Sequence, residues 1–241
     1  MTSQRLIDSF DFAPGRKLAG KYVISRRLGG GYEGEVYEVI ETRTGVRRAA
    51  KFFYPHRNKR DRAVTRYARK LDKLRDCRIV IQYHHSETIR HRATDITCLI
   101  SEYVGGQLLS RFLARQPQHR IHPFEALHLL YELVCGLDEV HAMGEYHGDL
   151  HDDNVMITRR GAFFDVKLVD FYHLGPPRAQ HYRDDVVDVV RLFYDAVGGQ
   201  ARYSSQPPYV KAICRGLRRD LIQKAFPTAS HLREHLESFP W

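Results

Sequence analysis

Three polar side chains, Asp149, Asn154 and Asp170, have types and spacing that suit transfer of a phosphoryl group. Asp149 and Asn154 belong to the stretch HGDLHDDN, and Asp170 follows sixteen residues after Asn154, in the sequence VDF. Apolar segments typical of strands border both stretches. Phosphoryl transfer needs a carboxylate that orients the attacking hydroxyl, and it needs an amide and a second carboxylate that hold the metal ion on the triphosphate. The other elements are then expected to position ATP against these groups.

A glycine-rich stretch, LGGGYEGEV, lies between two predicted strands at 22–28 and 36–40. Without Cβ atoms, its backbone N–H groups can approach phosphates closely. A strand rather than a helix follows the glycines, which disfavours a dinucleotide-binding loop and leaves a flexible hairpin as the alternative. A third strand, 46–53, carries Lys51. A lysine in an apolar strand is costly without an anionic partner, and a triphosphate would be one.

Hydrophobic periodicity predicts further helices and strands along the chain. The double glycine 105–106 marks a boundary between two lobes. Thr228 is a suitable N-cap for the last helix. The predicted helices span 62–74, 107–114, 123–141, 185–197, 210–221 and 228–236, and the predicted strands span 79–81, 97–104, 154–157 and 166–169.

The composition excludes several classes of protein. Apolar residues make up 43% of the 241 and charged residues 28%, which is typical of globular domains. No apolar run approaches the roughly 20 residues of a membrane helix, and the N-terminus lacks a signal-peptide core. The four cysteines are scattered without a CxxC pair, which indicates buried thiols in a reducing compartment. We therefore expect a cytoplasmic protein without a membrane segment.

The charge balance is basic, with 38 Lys and Arg against 29 Asp and Glu and a net charge of +9. A basic solvated surface is the simplest interpretation of this excess, and a nucleic-acid partner is not favoured. The excess is densest in the segment 57–78. If this segment is helical, it presents one basic face that suits an acidic partner.

Over residues 22–237 the chain resembles the protein kinase superfamily. The glycine-rich stretch matches the nucleotide loop of this family, Ala49 and Lys51 match its A-x-K motif, and EYV (102–104) is similar to its hinge. The stretches HGDLHDDN and DF match its catalytic loop and metal-binding motif. The resemblance implies an α+β bilobal fold, in which an N-terminal extension (1–21) precedes an antiparallel-sheet N-lobe (22–104) and a mainly helical C-lobe (105–241).

The resemblance also implies roles for individual residues, with ATP and Mg²⁺ as cofactors. Lys51 and Asp149 are the implied catalytic residues, and Asn154 and Asp170 are the implied metal ligands. His147 and Asp185 are implied to support the catalytic loop. The residues implied to bind ATP are Leu28, Gly29, Gly30, Gly31, Tyr32, Gly34, Val36, Ala49, Lys51, Glu102, Val104 and Met156.

The chain departs from the kinase pattern at several positions. Tyr67 stands where the helix should carry a glutamate for Lys51, and no Glu occurs between Glu41 and Glu87. Lys51 is then expected to pair with Asp170, with a phosphate or with the phenol of Tyr67. Glu33 would place a negative charge near the phosphates.

The catalytic loop and the segment after it are also unusual. HGD replaces HRD, which predicts no activation by a phosphorylated loop, and His151 replaces the lysine that is common in Ser/Thr kinases. HGDLH is typical of aminoglycoside-type phosphotransferases. Asp185 follows only fifteen residues after Asp170, and this short segment resembles that of a minimal kinase such as those of the RIO family.

These features support a leading hypothesis and three alternatives. The leading hypothesis is a magnesium-dependent ATP phosphotransferase that acts on Ser or Thr of a protein. The first alternative is a small-molecule kinase of the aminoglycoside or choline type, and the second is a nucleotide-binding pseudokinase that serves as a scaffold. A metal hydrolase built on His147, Asp149 and His151 is disfavoured by the kinase context.

Overall fold

The computed structural model describes residues 6–161 and 163–239. The chain divides into two compact units: the first comprises residues up to Arg75 and 81–104, and the second comprises 76–80 and the residues from Gly105 onward. The first five residues of the predicted extension, Ala162 and the last two residues of the predicted C-lobe lie outside the described residues.

The first unit is built on a six-stranded antiparallel sheet in the order β1-β2-β3-β4-β6-β5. The three strands predicted between 22 and 53 are confirmed, although the first runs on to Gly30 and the second begins at Gly34. The strands are β1 (Lys17–Leu18), β2 (Tyr22–Gly30), β3 (Gly34–Glu41), β4 (Arg47–Phe53), β5 (Tyr83–His91) and β6 (Thr94–Glu102).

The segment 7–12 covers one face of this sheet. Phe10 and Phe12 are buried, and the ring of Phe12 lies 4.9 Å from that of Phe52 and 5.3 Å from that of Tyr37. Aromatic pairs at these separations add to the stabilisation that comes from burying their area. The segment is therefore part of the core of this unit.

Glu35 lies beneath the same segment and is 1% exposed. Its carboxylate accepts hydrogen bonds from the backbone N–H of Phe10 (3.4 Å), from Arg27 (3.0 Å) and from the hydroxyl of Tyr37. Burial, together with this bond to Glu35, raises the pKa of Tyr37 to about 12. A buried carboxylate is tolerated only with such partners, so Glu35 ties the segment to the strand that follows the glycine-rich turn.

Helix α1 (Arg62–Lys73) confirms the helix predicted over 62–74 and packs against β5 and β6. Val64, Tyr67 and Leu71 are buried at the spacing of one helical face. The opposite face is cationic, as expected for the segment 57–78. Its exposed residues include Arg62, Arg66, Arg69 and Lys73.

The second unit is mainly helical, with a small antiparallel sheet in the order β7-β8-β9. The helix predicted over 123–141 is confirmed as the long helix α3 (Pro123–Ala142). Four residues of its apolar stripe, Leu127, Leu130, Val134 and Leu137, are buried, whereas Tyr131 is exposed. Within the described residues, none of the helices combines the length and apolarity needed to cross a bilayer. The elements are β7 (Gln107–Leu108), α2 (Leu109–Ala114), α3 (Pro123–Ala142), β8 (Val155–Arg160), β9 (Phe163–Leu168), α4 (Ala179–Ala196), α5 (Gly199–Tyr203), α6 (Pro208–Cys214), α7 (Arg219–Ala225) and α8 (Ala229–Glu237).

One strand prediction is wrong, and one strand was not predicted. The strand predicted at 79–81 is wrong, because Val80 forms only an isolated parallel bridge with Leu168, whose N–H donates to the carbonyl of Ile79 (2.7 Å). The short apolar run reflects burial rather than a strand. Strand β5 was not predicted, since its sequence YHHSETIRH offers few apolar residues.

Three helix boundaries also differ from the predictions. Helix α4 begins at Ala179 rather than 185, and the helix predicted over 107–114 begins only after strand β7. The helix predicted over 210–221 is divided into α6 and α7. Gly216 and Leu217 interrupt it with φ angles of 64° and 56°. Thr228 caps α8 as predicted, by accepting a hydrogen bond from the N–H of His231.

The four cysteines are free thiols. Cys77, Cys98 and Cys214 are buried as predicted, and Cys135 is half-buried. Burial raises the pKa of Cys98 and of Cys214 to about 12, so both remain neutral packing groups at physiological pH.

Candidate active site

The glycine-rich turn of the first unit is folded tightly onto strand β4. The N–H of Gly31 donates to the carbonyl of Gly34 (2.9 Å), and the N–H of Tyr54 donates to the carbonyl of Glu33 (2.9 Å). A Cβ at Gly34 would lie 1.9 Å from the carbonyl oxygen of Phe52. Glycine is therefore required at this position for the backbones to approach each other.

Lys51 has an ion-pair partner from that turn. Its Nζ lies 3.1 Å from a carboxylate oxygen of Glu33, and 12% of the Lys51 side chain is exposed. The same ammonium lies 4.7 Å from the ring centroid of Tyr67 and 5.3 Å from that of Phe53. The contact with Tyr67 agrees with one predicted partner, although it is made to the face of the ring. Glu33 is not among the partners that the sequence predicts.

The other predicted nucleotide residues of this unit lie on β2, in the turn that follows it, on the Lys51 face of β3 and β4, or at and just after the end of β6. Val36 pairs directly with Lys51 in the sheet, and Ala49 precedes Lys51 by two residues, so all three side chains share one face. Glu102 donates its N–H to the carbonyl of Gln82 (2.8 Å), and its carboxylate accepts from the Gln82 N–H (3.1 Å). The remaining predicted residues here are Leu28, Gly29, Gly30, Tyr32 and Val104.

A buried carboxylate that no sequence motif indicates also lies on this sheet. Glu38 is 3% exposed and accepts hydrogen bonds from Arg26 (2.7 Å) and Arg47 (2.6 Å). Burial alone would raise the pKa of Glu38, but the two arginines outweigh it and lower the pKa. The guanidinium of Arg47 also lies over the ring of Tyr103, 4.0 Å from its centroid. This cluster joins β2, β3 and β4 beside the end of β6.

In the second unit, the loop 147–154 is held by hydrogen bonds within it and leaves the carboxylate of Asp149 exposed. The Asn154 side-chain amide donates to the backbone carbonyl of Asp149 (2.8 Å) and lies 3.5 Å from its carboxylate. The Nε2 atom of His151 lies 2.9 Å from the same amide nitrogen and 3.6 Å from the Asp149 carboxylate. The Asp149 side chain is 56% exposed, so it can meet an acceptor hydroxyl.

The side chain of Asn154 has an oxygen atom that could serve as a metal ligand. Its nitrogen makes the contacts within the loop, whereas no hydrogen bond between described residues uses its Oδ1. A side-chain carbonyl oxygen together with a carboxylate, here that of Asp170, is the kind of ligand set that Mg²⁺ prefers. Asp170 has a left-handed backbone with a φ angle of 57°.

His147 connects the loop to the segment that carries Asp170. Its Nε2 donates to the carbonyl of Val169 (3.0 Å), and its Nδ1 accepts from the N–H of Asp149 (3.3 Å). Its ring packs 4.6 Å from that of Phe171. Both sequence neighbours of Asp170, Val169 and Phe171, thus contact the ring of His147. Because both ring nitrogens are used inside the fold, the arrangement is not that of the metal hydrolase considered as an alternative.

Asp185 anchors the other side of the same loop. It is fully buried on α4 and accepts hydrogen bonds from the backbone N–H groups of His147 (2.7 Å) and Gly148 (2.9 Å). The Nε2 atom of His141, on α3, lies 3.1 Å from the same carboxylate. Three donors from two segments therefore converge on one side chain.

Comparison with known proteins identifies the family. A family model described as the protein kinase domain matches residues 22–185. The chain belongs to the protein kinase domain family. This membership confirms the resemblance drawn from the motifs, and the antiparallel-sheet and helical units confirm the predicted kinase-like α+β fold class.

The curated relatives are Ser/Thr and other protein kinases. The chain is 28% identical over 160 residues to the serine/threonine-protein kinase PrkC of Bacillus subtilis, matching 65% of this chain and 23% of PrkC. It is 31% identical over 157 residues to CBL-interacting protein kinase 30 of Oryza sativa, matching 64% of this chain and 31% of that protein. The chain therefore spans less than a third of the length of either relative.

A solved structure shares the fold at low sequence identity. The crystal structure of the Mycobacterium tuberculosis PknI kinase domain superposes with a TM-score of 0.63 and 21% identity. The match covers 94% of this chain and 97% of that structure, so the likeness extends over both units.

Gly148 of this kinase domain stands at the position of the arginine in HRD. Its φ angle is +81°, and a Cβ there would lie 2.9 Å from the Tyr146 ring and 3.1 Å from the carbonyl oxygen of Tyr172. Any other residue would be strained at this position. The segment from Asp170 to the start of α4 at Ala179 contains no helix or strand, which agrees with the short segment noted in the sequence.

Asp188 is a titratable group near this loop that the motifs do not reveal. It is half-buried on α4, three residues after Asp185. Burial, with a further contribution from the negative charge of Asp185, raises the pKa of Asp188 to about 6. The folded chain thus favours the protonated, neutral form of Asp188. At neutral pH, where this carboxyl group is ionised, it lowers the stability of the fold.

Proposed function

We propose that this kinase domain is a magnesium-dependent ATP phosphotransferase that transfers the γ-phosphoryl group to a Ser or Thr hydroxyl of a protein. The observation that carries the proposal is the loop cluster of the second unit. It holds an exposed Asp149 carboxylate beside an Asn154 oxygen that no described residue binds, and it is joined through His147 to the segment of Asp170.

Each group has a role in this reaction. Asp149 orients the acceptor hydroxyl and accepts its proton as the bond to phosphorus forms. Asn154 and Asp170 would hold Mg²⁺, which supplies positive charge against the charge that develops on the transferred group. In the first unit, the turn's N–H groups and Lys51 bind the phosphates, while Val36 and Ala49 contact the adenine.

The test is transfer of labelled phosphate from ATP to a mixture of acceptor proteins. We expect Asp149→Ala and Asp170→Ala each to abolish transfer by the folded chain. Asp165→Ala is a matched control, because it removes an exposed carboxylate of the same unit whose contact is a surface ion pair with Arg160. Labelled product that survives both active-site changes would rule out this mechanism.

A small-molecule acceptor is the second candidate. The short segment between Asp170 and α4, which lacks helix and strand, favours it because little chain is available to support a bound peptide. His151, close to both Asp149 and Asn154, is the second supporting feature. A metabolite screen that gives a phosphorylated product while proteins and peptides stay unlabelled would select this candidate.

A further inference from the structure

The unusual feature of the phosphate-binding part of the first unit is the counter-ion of Lys51. Helix α1 has a single acidic residue, Asp72, which is exposed and lies 3.4 Å from Arg75. Tyr67 presents the face of its ring to the ammonium, with the ring centroid 4.7 Å from Nζ. A carboxylate that pairs with Lys51 comes from Glu33, in the glycine-rich turn itself.

The turn holds Glu33 in place by contacts on both sides. The carbonyl of Glu33 accepts from the N–H of Tyr54, which follows β4, and the neighbouring Tyr32 is held by Arg57. The guanidinium of Arg57 lies 3.6 Å from the centroid of the Tyr32 ring, and its Nη1 donates to the Tyr32 hydroxyl. The position of the carboxylate over β4 is thus set by the backbone and by a neighbouring cation–π contact.

The carboxylate and a nucleotide phosphate would compete for the same ammonium. The Lys51 side chain is 12% exposed and its Nζ lies 3.1 Å from Glu33, so a phosphate oxygen that binds the ammonium would come close to that carboxylate. Like charges at such short range repel, and the partial burial of the pair weakens solvent screening. A triphosphate with bound Mg²⁺ carries less net charge and would be repelled less.

We propose that Glu33 is a built-in competitor of the nucleotide phosphates for Lys51, and that it thereby sets the affinity and the phosphate-number preference of the site. This inference rests on the proposed function, since it assumes that nucleotide phosphates bind at Lys51. When nucleotide enters, the Glu33 carboxylate leaves Lys51 and a phosphate oxygen takes its place. ATP without Mg²⁺ should therefore bind more weakly than ATP with Mg²⁺, because the Glu33 carboxylate repels the more negative ligand more strongly.

The test compares nucleotide binding by the wild type and Glu33→Gln, using calorimetry with adenosine, ADP and ATP. Glutamine keeps the size of the side chain and removes its charge, so the fold is preserved. We expect Glu33→Gln to bind ATP about tenfold more tightly, which corresponds to about 1.4 kcal/mol, and to bind adenosine unchanged. The gain should increase from adenosine to ADP to ATP and should be larger without Mg²⁺ than with it.

Glu41→Gln is the matched control. It removes the same charge from the far end of β3, where Glu41 accepts a hydrogen bond from Thr44 rather than from Lys51. Its nucleotide affinities should equal those of the wild type, so that a general change in net charge is excluded.

The outcomes separate the two proposals. Equal ATP affinity of the wild type and Glu33→Gln, or weaker binding by the variant, would overturn the competitor role while leaving the proposed function intact. Weaker binding would instead make Glu33 the group that positions Lys51. A wild type, a Glu33→Gln variant and a Glu33→Ala variant that all fold but bind neither adenosine nor ATP would overturn the proposed function and this inference with it.

Discussion

Replacement of Asp185 by alanine tests whether one buried carboxylate holds the loop 147–154 in place. The change removes the acceptor of three hydrogen bonds, from the N–H groups of His147 and Gly148 and from the ring of His141. No water can readily replace an acceptor at a fully buried position, and each unsatisfied donor costs about 1–3 kcal/mol. Allowing for relaxation of the loop, we expect a loss of roughly 3–5 kcal/mol in the free energy of unfolding.

Urea unfolding and thermal melting measure this loss, and the melting temperature should fall by roughly 10 °C. Asp184→Ala is the neighbouring control, because Asp184 makes partly exposed contacts with Arg219 and Gln180. Exposed ion pairs contribute about 0–1 kcal/mol, so the control should be nearly neutral.

Amide hydrogen exchange locates the effect. Loss of the carboxylate should reduce the protection of the His147 and Gly148 amides more than that of amides in the first unit. A stability within 1 kcal/mol of the Asp184→Ala control, or unchanged protection at these two amides, would refute the account of Asp185 as the anchor of the loop.

Three further predictions follow from groups described above. Gly34→Ala should disrupt the turn and destabilise the fold by several kcal/mol, because its Cβ would overlap the carbonyl of Phe52; thermal melting checks this, and an unchanged melting temperature would contradict it. Phe12→Ala should cost about 3–4 kcal/mol by leaving a cavity beside Phe52, measured by urea unfolding, and a loss below 1 kcal/mol would show that the segment 7–12 is not core. Asp188→Asn should stabilise the chain by about 1–2 kcal/mol at pH 7.5, a value reduced for solvent screening because the group is half-buried. The pKa of Asp188 is raised from 3.8 to about 6 in the folded chain, so the wild type loses stability as the pH rises between those two values. The extra stability of Asp188→Asn should therefore vanish near pH 3.5, which thermal melts between pH 3.5 and 7.5 would check.

The strands around the glycine-rich turn were predictable because local signals agree there. Strands β3 and β4 contain Val, Ile, Tyr and Phe residues typical of strands, and the turn at Thr44 and Gly45 separates the two strands. The same agreement holds for α3, where a proline at the start and an apolar stripe point to one helix. The fold class followed from these elements and from the motifs that they carry.

The features that were not predicted depend on contacts between residues distant in sequence. The run at 79–81 is apolar because it is buried beside Leu168, and nothing local distinguishes this from a strand. Strand β5 is held by pairing with β6 rather than by its own pattern.

In the candidate site, too, the features that depend on local sequence were predicted and those that depend on distant contacts were not. Motifs indicate Asp149, Asn154 and Asp170 as candidates, because their order and spacing can be read from the sequence. The pairing of Lys51 with Glu33 depends on how the turn folds over β4, which spacing alone does not reveal. The raised pKa of Asp188 likewise comes from burial on α4, which a sequence pattern does not report.

The aromatic residues of segment 7–12 affect the choice of the N-terminal boundary when this domain is expressed for experiments. The family match starts at residue 22, yet a recombinant domain that starts there would lack Phe10 and Phe12. It would also expose the buried carboxylate of Glu35 to solvent. Such a piece would be expected to aggregate or to express poorly, and a failure of that kind would say nothing about its chemistry. Boundaries for expression should therefore follow the packing of these rings rather than the limits of the family match.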